Sequence, residues 1–303
     1  MINQSPAYCF QGVANMQYRK QWDPWLDKEQ QAEIHFEVTP QVTGSVYRWD
    51  GDTIGSGELV IDSIIPFRHI YSTLTFIKPQ KMIARVAWHF EKLPEGTKAT
   101  WEISGELNYP LERWFGLFIE NALGKDFETG LNNLKIFLEQ NSLKSWLEMV
   151  HTEKNSRNQL VGIYKDLHGP DLQKKIAETF AELSKEMDKQ NIAYQMPPRT
   201  IYHSYAIDNE AKISAAYPYA GDTSNIKAPL KTISIKSGRV LTGLHRGRYN
   251  NLTNSYSLLN HYATKHKLPI SGIAYEVYIT NPAETEDTAN WQTQIIYPLK
   301  MEE

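Results

Sequence analysis

Between residues 33 and 107, apolar and polar positions alternate with a period of two. Six stretches, 33–39, 45–50, 54–65, 68–77, 82–93 and 97–107, are rich in β-branched and aromatic residues and read as strands. In the fifth, Ala84, Val86, Trp88 and Phe90 share a face. In the sixth, Ala99, Trp101 and Ile103 share one, with Thr100 and Glu102 opposite. Breaks fall at Asp50-Gly51-Asp52, Pro66, Lys78-Pro79 and Pro94-Glu95-Gly96. Short connections between consecutive strands predict an antiparallel sheet. The period then changes. Trp114, Leu117, Phe118, Leu123, Phe127, Leu131, Leu134 and Leu138 recur at helical spacing, which predicts one long helix over 111–139 with a wide apolar stripe. A curved sheet wrapped around that helix is the simplest way to bury the stripe.

Residues 152–159 are polar and lack a period. The domain boundary is placed there: a first domain over 1–140, a linker over 141–158 and a second domain over 159–303. The second domain reads as an imperfect duplication of a β-α-β-β unit, which predicts pseudo-two-fold symmetry with a cleft where the halves meet. Thr200-Ile201-Tyr202-His203 aligns with Ile273-Ala274-Tyr275-Glu276, and Tyr217-Pro218-Tyr219 with Tyr297-Pro298-Leu299. One helix carries Leu172, Ile176, Phe180, Leu183 and Met187; its counterpart carries Leu252, Tyr256, Leu259 and Ala263. Residues 220–232 read as the connection between halves. The fold class is α+β.

In this alignment an ionisable residue stands at the same place in each half, His203 and Glu276. On the strand containing Glu276, Tyr275, Val277 and Ile279 share one face and Glu276, Tyr278 and Thr280 the other. The apolar face is expected to pack on the helices, and the Glu276 face to look to the far side. His203, Tyr205 and Ile207 hold the matching face of the first copy. A carboxylate flanked by aromatics suits a cation, and partial burial raises its pKa toward acid–base use. The alternative is a Glu276 that is solvated, or paired with a nearby basic residue such as Arg246 or Arg248. Candidate walls are Tyr202, Tyr205, Tyr249, Tyr275 and Tyr278. Trp49, Glu58, Trp88, His89 and Trp101 are candidates for a cavity in the first domain, of which Trp49 and Trp101 are retained as ligand contacts.

Other motifs carry less. Gly243-Leu244-His245-Arg246-Gly247-Arg248-Tyr249 is a basic turn without P-loop spacing. Ile54-Gly55-Ser56-Gly57-Glu58 lies inside a strand pattern and predicts a bulge or bend. His261 and His266 are five apart, the wrong spacing for two metal ligands on one helix face. The lone Cys9 allows no internal disulfide and no thiolate cluster, and reads as a buried core thiol. No metal or cofactor is expected. The net charge of −3 argues against nucleic acid as a partner. With 8 Trp and 17 Tyr, the composition suits apolar or cationic ligands. No apolar stretch is long enough to span a bilayer and no signal peptide is visible, which fits a cytoplasmic protein. The chain runs into a helical pattern almost at once, at Tyr8, Phe10 and Val13. A first strand is expected just upstream, so that the natural start would lie earlier.

Over residues 2–139 the chain resembles the START-like helix-grip superfamily, in its polyketide cyclase/dehydrase branch. The matching features are Ser5-Pro6, Trp22-Asp23-Pro24-Trp25, Tyr47-Arg48-Trp49, Gly55-Ser56-Gly57, Thr97-Lys98-Ala99-Thr100-Trp101 and Gly130-Leu131-Asn132-Asn133-Leu134-Lys135. The resemblance implies a cavity for an apolar ligand and, in some relatives, a membrane-anchoring segment ahead of the first strand. Over residues 158–300 the chain is similar to the GyrI-like, AraC-type effector-binding domain. That similarity rests on the duplicated unit, Gly247-Arg248-Tyr249, Tyr275-Glu276-Val277-Tyr278 before Asn281-Pro282, and Ile295-Ile296-Tyr297-Pro298-Leu299. It implies a pocket for aromatic, often cationic, small molecules, with Glu276 as the pocket carboxylate. A bacterial sensor or sequestering protein without a DNA-binding domain follows. The alternative is a hydrolase or cyclase acting on an electrophilic small molecule, with Glu276 as acid or base.

Overall fold

The computed structural model describes residues 1–39, 42–105, 111–141, 143–206, 210–282 and 284–300, with the backbone alone for 111–123, 206 and 250. It divides into two units, residues 1–146 and 147–303, in a mixed α+β arrangement with two separate sheets.

In the first unit, α1 (Pro6–Ala14) is started by Ser5, whose hydroxyl accepts the N–H of Tyr8, with Pro6 in the first turn. Six strands follow: β1 (Glu33–Glu37), β2 (Val46–Gly51), β3 (Gly55–Ile65), β4 (His69–Lys78), β5 (Met82–Leu93) and β6 (Gly96–Gly105). They form one sheet in sequence order, and each neighbouring pair is antiparallel. The expected extension of the last strand to Leu107 lies outside the described residues. At the start of the chain, Ile2 exchanges both backbone hydrogen bonds with Thr97 of β6. The glycines of 55–57 mark a true irregularity. Gly55 has φ +67°, and the β3–β4 register shifts between Ser56 and Gly57.

The long helix α2 (Leu111–Gln140) ends with Leu134, Phe137 and Leu138 buried. Trp88 and Trp101 are direct partners across β5 and β6, stacked with centroids 4.7 Å apart. At Gly130 an added Cβ would stand 2.8 Å from the Trp101 ring and 3.0 Å from Pro24, so glycine sets how closely the helix approaches the indole.

The second unit carries β7 (Ser145–Asn155), β8 (Asn158–Leu167), α3 (Leu172–Lys189), β9 (Arg199–Ala206), β10 (Glu210–Pro218), β11 (Leu230–Ile235), β12 (Gly238–Gly247), α4 (Leu252–Lys265), β13 (Tyr275–Tyr278) and β14 (Gln292–Pro298). Two of these strands occupy stretches read from sequence as connections. β7 falls in the expected linker 141–158, and β11 overlaps 220–232. β7 is mostly polar and β11 half polar because both stand at sheet edges, next to β12 and β8 respectively, where one side meets solvent.

The strand order is β11-β8-β10-β9-β13-β14-β12-β7. Read outward from its centre, β9, β10 and β8 on one side match β13, β14 and β12 on the other. The register fixes which residues correspond. Ala215 pairs with Thr200 in one half, and Ile295 with Glu276 in the other. Ile213 pairs with Tyr202, and Thr293 with Tyr278. Thr200 and Glu276 pair directly across β9 and β13. His203, expected at the place equivalent to Glu276, lies three residues beyond this pair. Separately, a β-bulge between Lys212 and Ile213 leaves His203 without a ladder partner.

Helix α3 covers one face of this sheet, burying Leu183 and Met187 against Val161, Ile163, Ala215 and Tyr217. No helix of the described residues is long and apolar enough to cross a membrane.

Candidate functional site

Strands β9 and β13 meet at the middle of the sheet, where Thr200 and Glu276 are direct partners. Residues directly paired share a face, so Glu276 lies on the face of Thr200 and Ala215, which is the face that carries α3. Helix α4 reaches the same face, because the Tyr256 hydroxyl donates to Glu276 Oε1 at 2.8 Å. The expectation that Glu276 looks away from the helices is thus reversed. Tyr275, Val277, Val240 and Ile296 form the apolar cluster on the opposite face. All four residues of β13 are buried, so alternation of apolar and polar types does not distinguish the two sides. Phenols supply the polar ends that let an ionisable group sit against helices.

Glu276 is 1% exposed. Besides Tyr256, Tyr202 donates to Oε1 at 3.2 Å and Tyr278 to Oε2 at 2.5 Å. The Tyr278 proton is committed to the carboxylate, so the Thr200 hydroxyl donates to Tyr278 Oη at 2.9 Å. Each half of the unit contributes a phenol to one acid. Burial pushes the carboxyl pKa up, and the three phenol donors pull it part of the way back. The same burial, reinforced by the nearby carboxylate, raises Tyr202, Tyr256 and Tyr278 well above the ordinary phenol value, so all three remain donors.

Around this centre lies a second layer of rings. Tyr249 packs edge-on to Tyr278 with centroids 5.3 Å apart, and Trp291 lies 4.9 Å from Tyr249. Phe180 of α3 meets Tyr278 from the other side at 5.8 Å. Neither arginine weighed as a partner pairs with Glu276. Arg246 is bonded to Glu148, and exposed Arg248 donates to Thr288 Oγ1 at 3.0 Å.

Glu276, Tyr202, Tyr278 and Tyr249 are thus brought together. Tyr275 is not: it lies on the far face, its hydroxyl accepting from Asn155 at 2.8 Å. His203 is exposed, with Nε2 2.9 Å from Ser214 Oγ and its ring 5.7 Å from Tyr164. Tyr205 is 60% exposed, its ring edge-on to Tyr202 at 6.3 Å. Ile207 lies outside the described residues. Sequence reasoning missed Tyr256, Thr200, Trp291 and Phe180 as parts of the site. The available signal was Tyr256 itself, a hydroxyl on the apolar stripe of α4.

Below Arg248, His245 is fully buried with Nδ1 2.8 Å from Ser255 Oγ and Nε2 3.2 Å from the Arg248 carbonyl. Nε2 therefore carries the proton and Nδ1 accepts from Ser255. Burial pulls its pKa down to about 4. The pair fixes the turn that presents Tyr249.

The first unit holds a cavity of about 80 Å³. Trp49 and Trp101 line it, together with Arg19, Asp23, Trp25, Tyr47 and Phe76. The other candidates fall elsewhere: Glu58 bonds Arg48, and His89 faces His69 with Nδ1 atoms 2.7 Å apart. Trp88 stacks behind Trp101. Cys9 is buried and its thiol is pushed up to about 12, which leaves it unreactive. Among the described residues no group of three or more His, Cys, Asp or Glu side chains is placed to hold a metal ion.

The site is thus a buried carboxylate reached by phenols from β9, α4 and β13, with further aromatic rings packed around Tyr278. Residues 157–300 match the model of the GyrI-like small molecule binding domain. Nothing among curated proteins matches the chain. Similar solved structures include the EcmrR C-terminal domain, with 17% identity, 51% of this chain and 98% of that chain covered, and a TM-score of 0.43. An EcmrR–DNA complex matches with 15% identity over 63% of this chain and 70% of that chain, TM-score 0.45. SAV2435 bound to tetraphenylphosphonium matches with 15% identity over 50% of this chain and 94% of that chain, TM-score 0.38.

Proposed function

We propose that the second unit is a receptor for an aromatic or cationic small molecule, with Glu276 as its counter-charge. The observation that carries this reading is the carboxylate itself: fully buried, unpaired by any basic side chain among the described residues, and held by Tyr202, Tyr256 and Tyr278. A cation that reaches it gains far more than it would from a carboxylate in water. Tyr249 and Trp291 supply ring faces for the rest of the ligand. The family match supports a small-molecule ligand, and the net charge of −3 supports a role without nucleic acid. The correspondence of β8-β9-β10 with β12-β13-β14 supports the duplicated β-α-β-β reading.

In the first unit, the antiparallel sheet with a long C-terminal helix and an internal cavity supports the START-like helix-grip reading. The chain would then be a two-site sensor or sequestering protein.

The competing reading is a hydrolase or cyclase using Glu276 as acid or base, and the raised carboxyl pKa favours it. The hydrogen-bond set favours binding instead, because it consists of phenols and a threonine, with no second group that titrates near neutrality. Calorimetry with a cationic aromatic dye, on the wild type and on Glu276→Gln, tests the proposal. Saturable binding without turnover that weakens at least tenfold in the variant is expected. Equal affinity in the two proteins removes Glu276 from the site.

A further inference from the structure

We propose that the cavity of the first unit takes a small aromatic molecule through an oxygen acceptor, a carbonyl or a carboxylate, set against Arg19 and Trp101. Arg19 is 6% exposed and Asp23 3%. Their ion pair uses Arg19 Nε, 2.7 Å from Asp23 Oδ2. Asp23 Oδ1 accepts the backbone N–H of Trp25 at 3.0 Å. Both carboxylate oxygens are therefore engaged, while the guanidinium keeps further N–H groups. The Tyr47 hydroxyl stands beside both members of the pair.

The Trp101 indole lines the same cavity, and its buried Nε1 has no acceptor among the described residues. Buried N–H groups are seldom left unpaired. The inner end of this cavity is thus rich in donors and poor in acceptors. A wholly apolar ligand would leave it as it is; an oxygen acceptor would complete it.

The outer part has a different character. Trp25, Trp49 and Phe76 are half-buried and carry ring faces. The cavity of about 80 Å³ is smaller than the ~150 Å³ cavity that admits benzene in an engineered protein. The acceptor therefore enters the inner end and the ring rests among the three outer side chains. Glu29 fixes this rim: its carboxylate accepts the N–H groups of Asp52, Thr53 and Ile54, and Ile54 lines the cavity.

The test is an indole ¹⁵N–¹H spectrum of the full chain with benzamide, benzoate or ethylbenzene added, in the wild type, Trp101→Phe and Glu276→Gln. The Trp101 resonance is the one lost in Trp101→Phe. It is expected to move downfield with benzamide or benzoate and to stay with ethylbenzene. The shift should persist in Glu276→Gln, which separates this site from the receptor site of the second unit. Trp101→Phe should weaken benzamide by about tenfold and leave ethylbenzene unchanged. Benzoate outbinding benzamide would assign a charged ligand, and the reverse a neutral carbonyl; either supports the proposal. Ethylbenzene binding as tightly as benzamide, a Trp101 resonance that stays while others move, or no binding of either oxygenated probe would overturn it.

Discussion

Tyr278 donates its phenol proton to Glu276 Oε2 at 2.5 Å, from a position two residues along the same strand and on the same face. The strand that carries the acid therefore also carries its shortest hydrogen bond, and α4 and β9 supply the other two. The acid is buried by its own strand and tethered to both halves.

Glu276 has a sign that can be checked. Its folded pKa lies above the unfolded value, so its contribution to stability is fully present below about pH 4.3 and is lost as pH rises through the folded pKa. The Glu276→Gln variant lacks this titration. Its melting temperature relative to the wild type is expected to climb with pH across that window and to be level below it. A difference that does not vary with pH would contradict the assignment.

Cation affinity follows the same equilibrium. A cation favours the ionised acid, so affinity in the wild type should rise with pH toward the folded pKa and then level off, with proton release on binding below it. Calorimetry in buffers of different ionisation enthalpy measures that proton directly. The Gln variant should show neither effect.

Tyr256→Phe removes the tether from α4 and one donor to the acid. The expected cost is roughly 1.5–3 kcal/mol, the range for a hydrogen bond to a charged group. The Glu276 pKa should move further up, read as a shift in the pH midpoint of cation binding. Tyr205→Phe, at a 60% exposed residue, should do neither.

Trp291→Ala should weaken an aromatic cation by about 0.5–2 kcal/mol through lost ring contact. Binding curves at high and low salt separate that loss from a change in charge, because the ring term is insensitive to salt.

His245 titrates in the opposite sense. Its folded pKa is depressed to about 4, so the stability it provides is complete above about pH 6.5 and is lost as pH falls through the folded value. Full linkage over that interval amounts to roughly 3 kcal/mol at one pKa unit per 1.36 kcal/mol. Urea denaturation at pH 7 and pH 4 should show the loss in the wild type and a smaller one in His245→Gln.

Much of this was legible in the sequence. The alternation over 33–105 gave all of the first six strand starts to within a residue, and the 3.6 period gave the long helix. Glu276 stood out as an acid among aromatics. What could not be read was the side on which it lies. Tyr275 and Val277 look like a helix-packing pair, yet the neighbours that decide are Thr200 and Ala215, brought alongside only by the ladder. The place of His203 has the same origin, since only the ladder sets Thr200, and not His203, beside Glu276. Arg19 and Asp23 were hidden for a different reason: an i, i+4 pair in an aromatic turn usually lies at the surface.

The direct pairing of Thr200 with Glu276 sets a limit on symmetry. Two identical chains meeting at this axis would place two glutamates face to face at neighbouring-strand distance, where both cannot readily ionise together. Within one polypeptide, the two strands are free to differ at that one pair. Threonine on one side orients Tyr278, and glutamate on the other carries the charge, so a ligand meets a polar seat with a defined left and right.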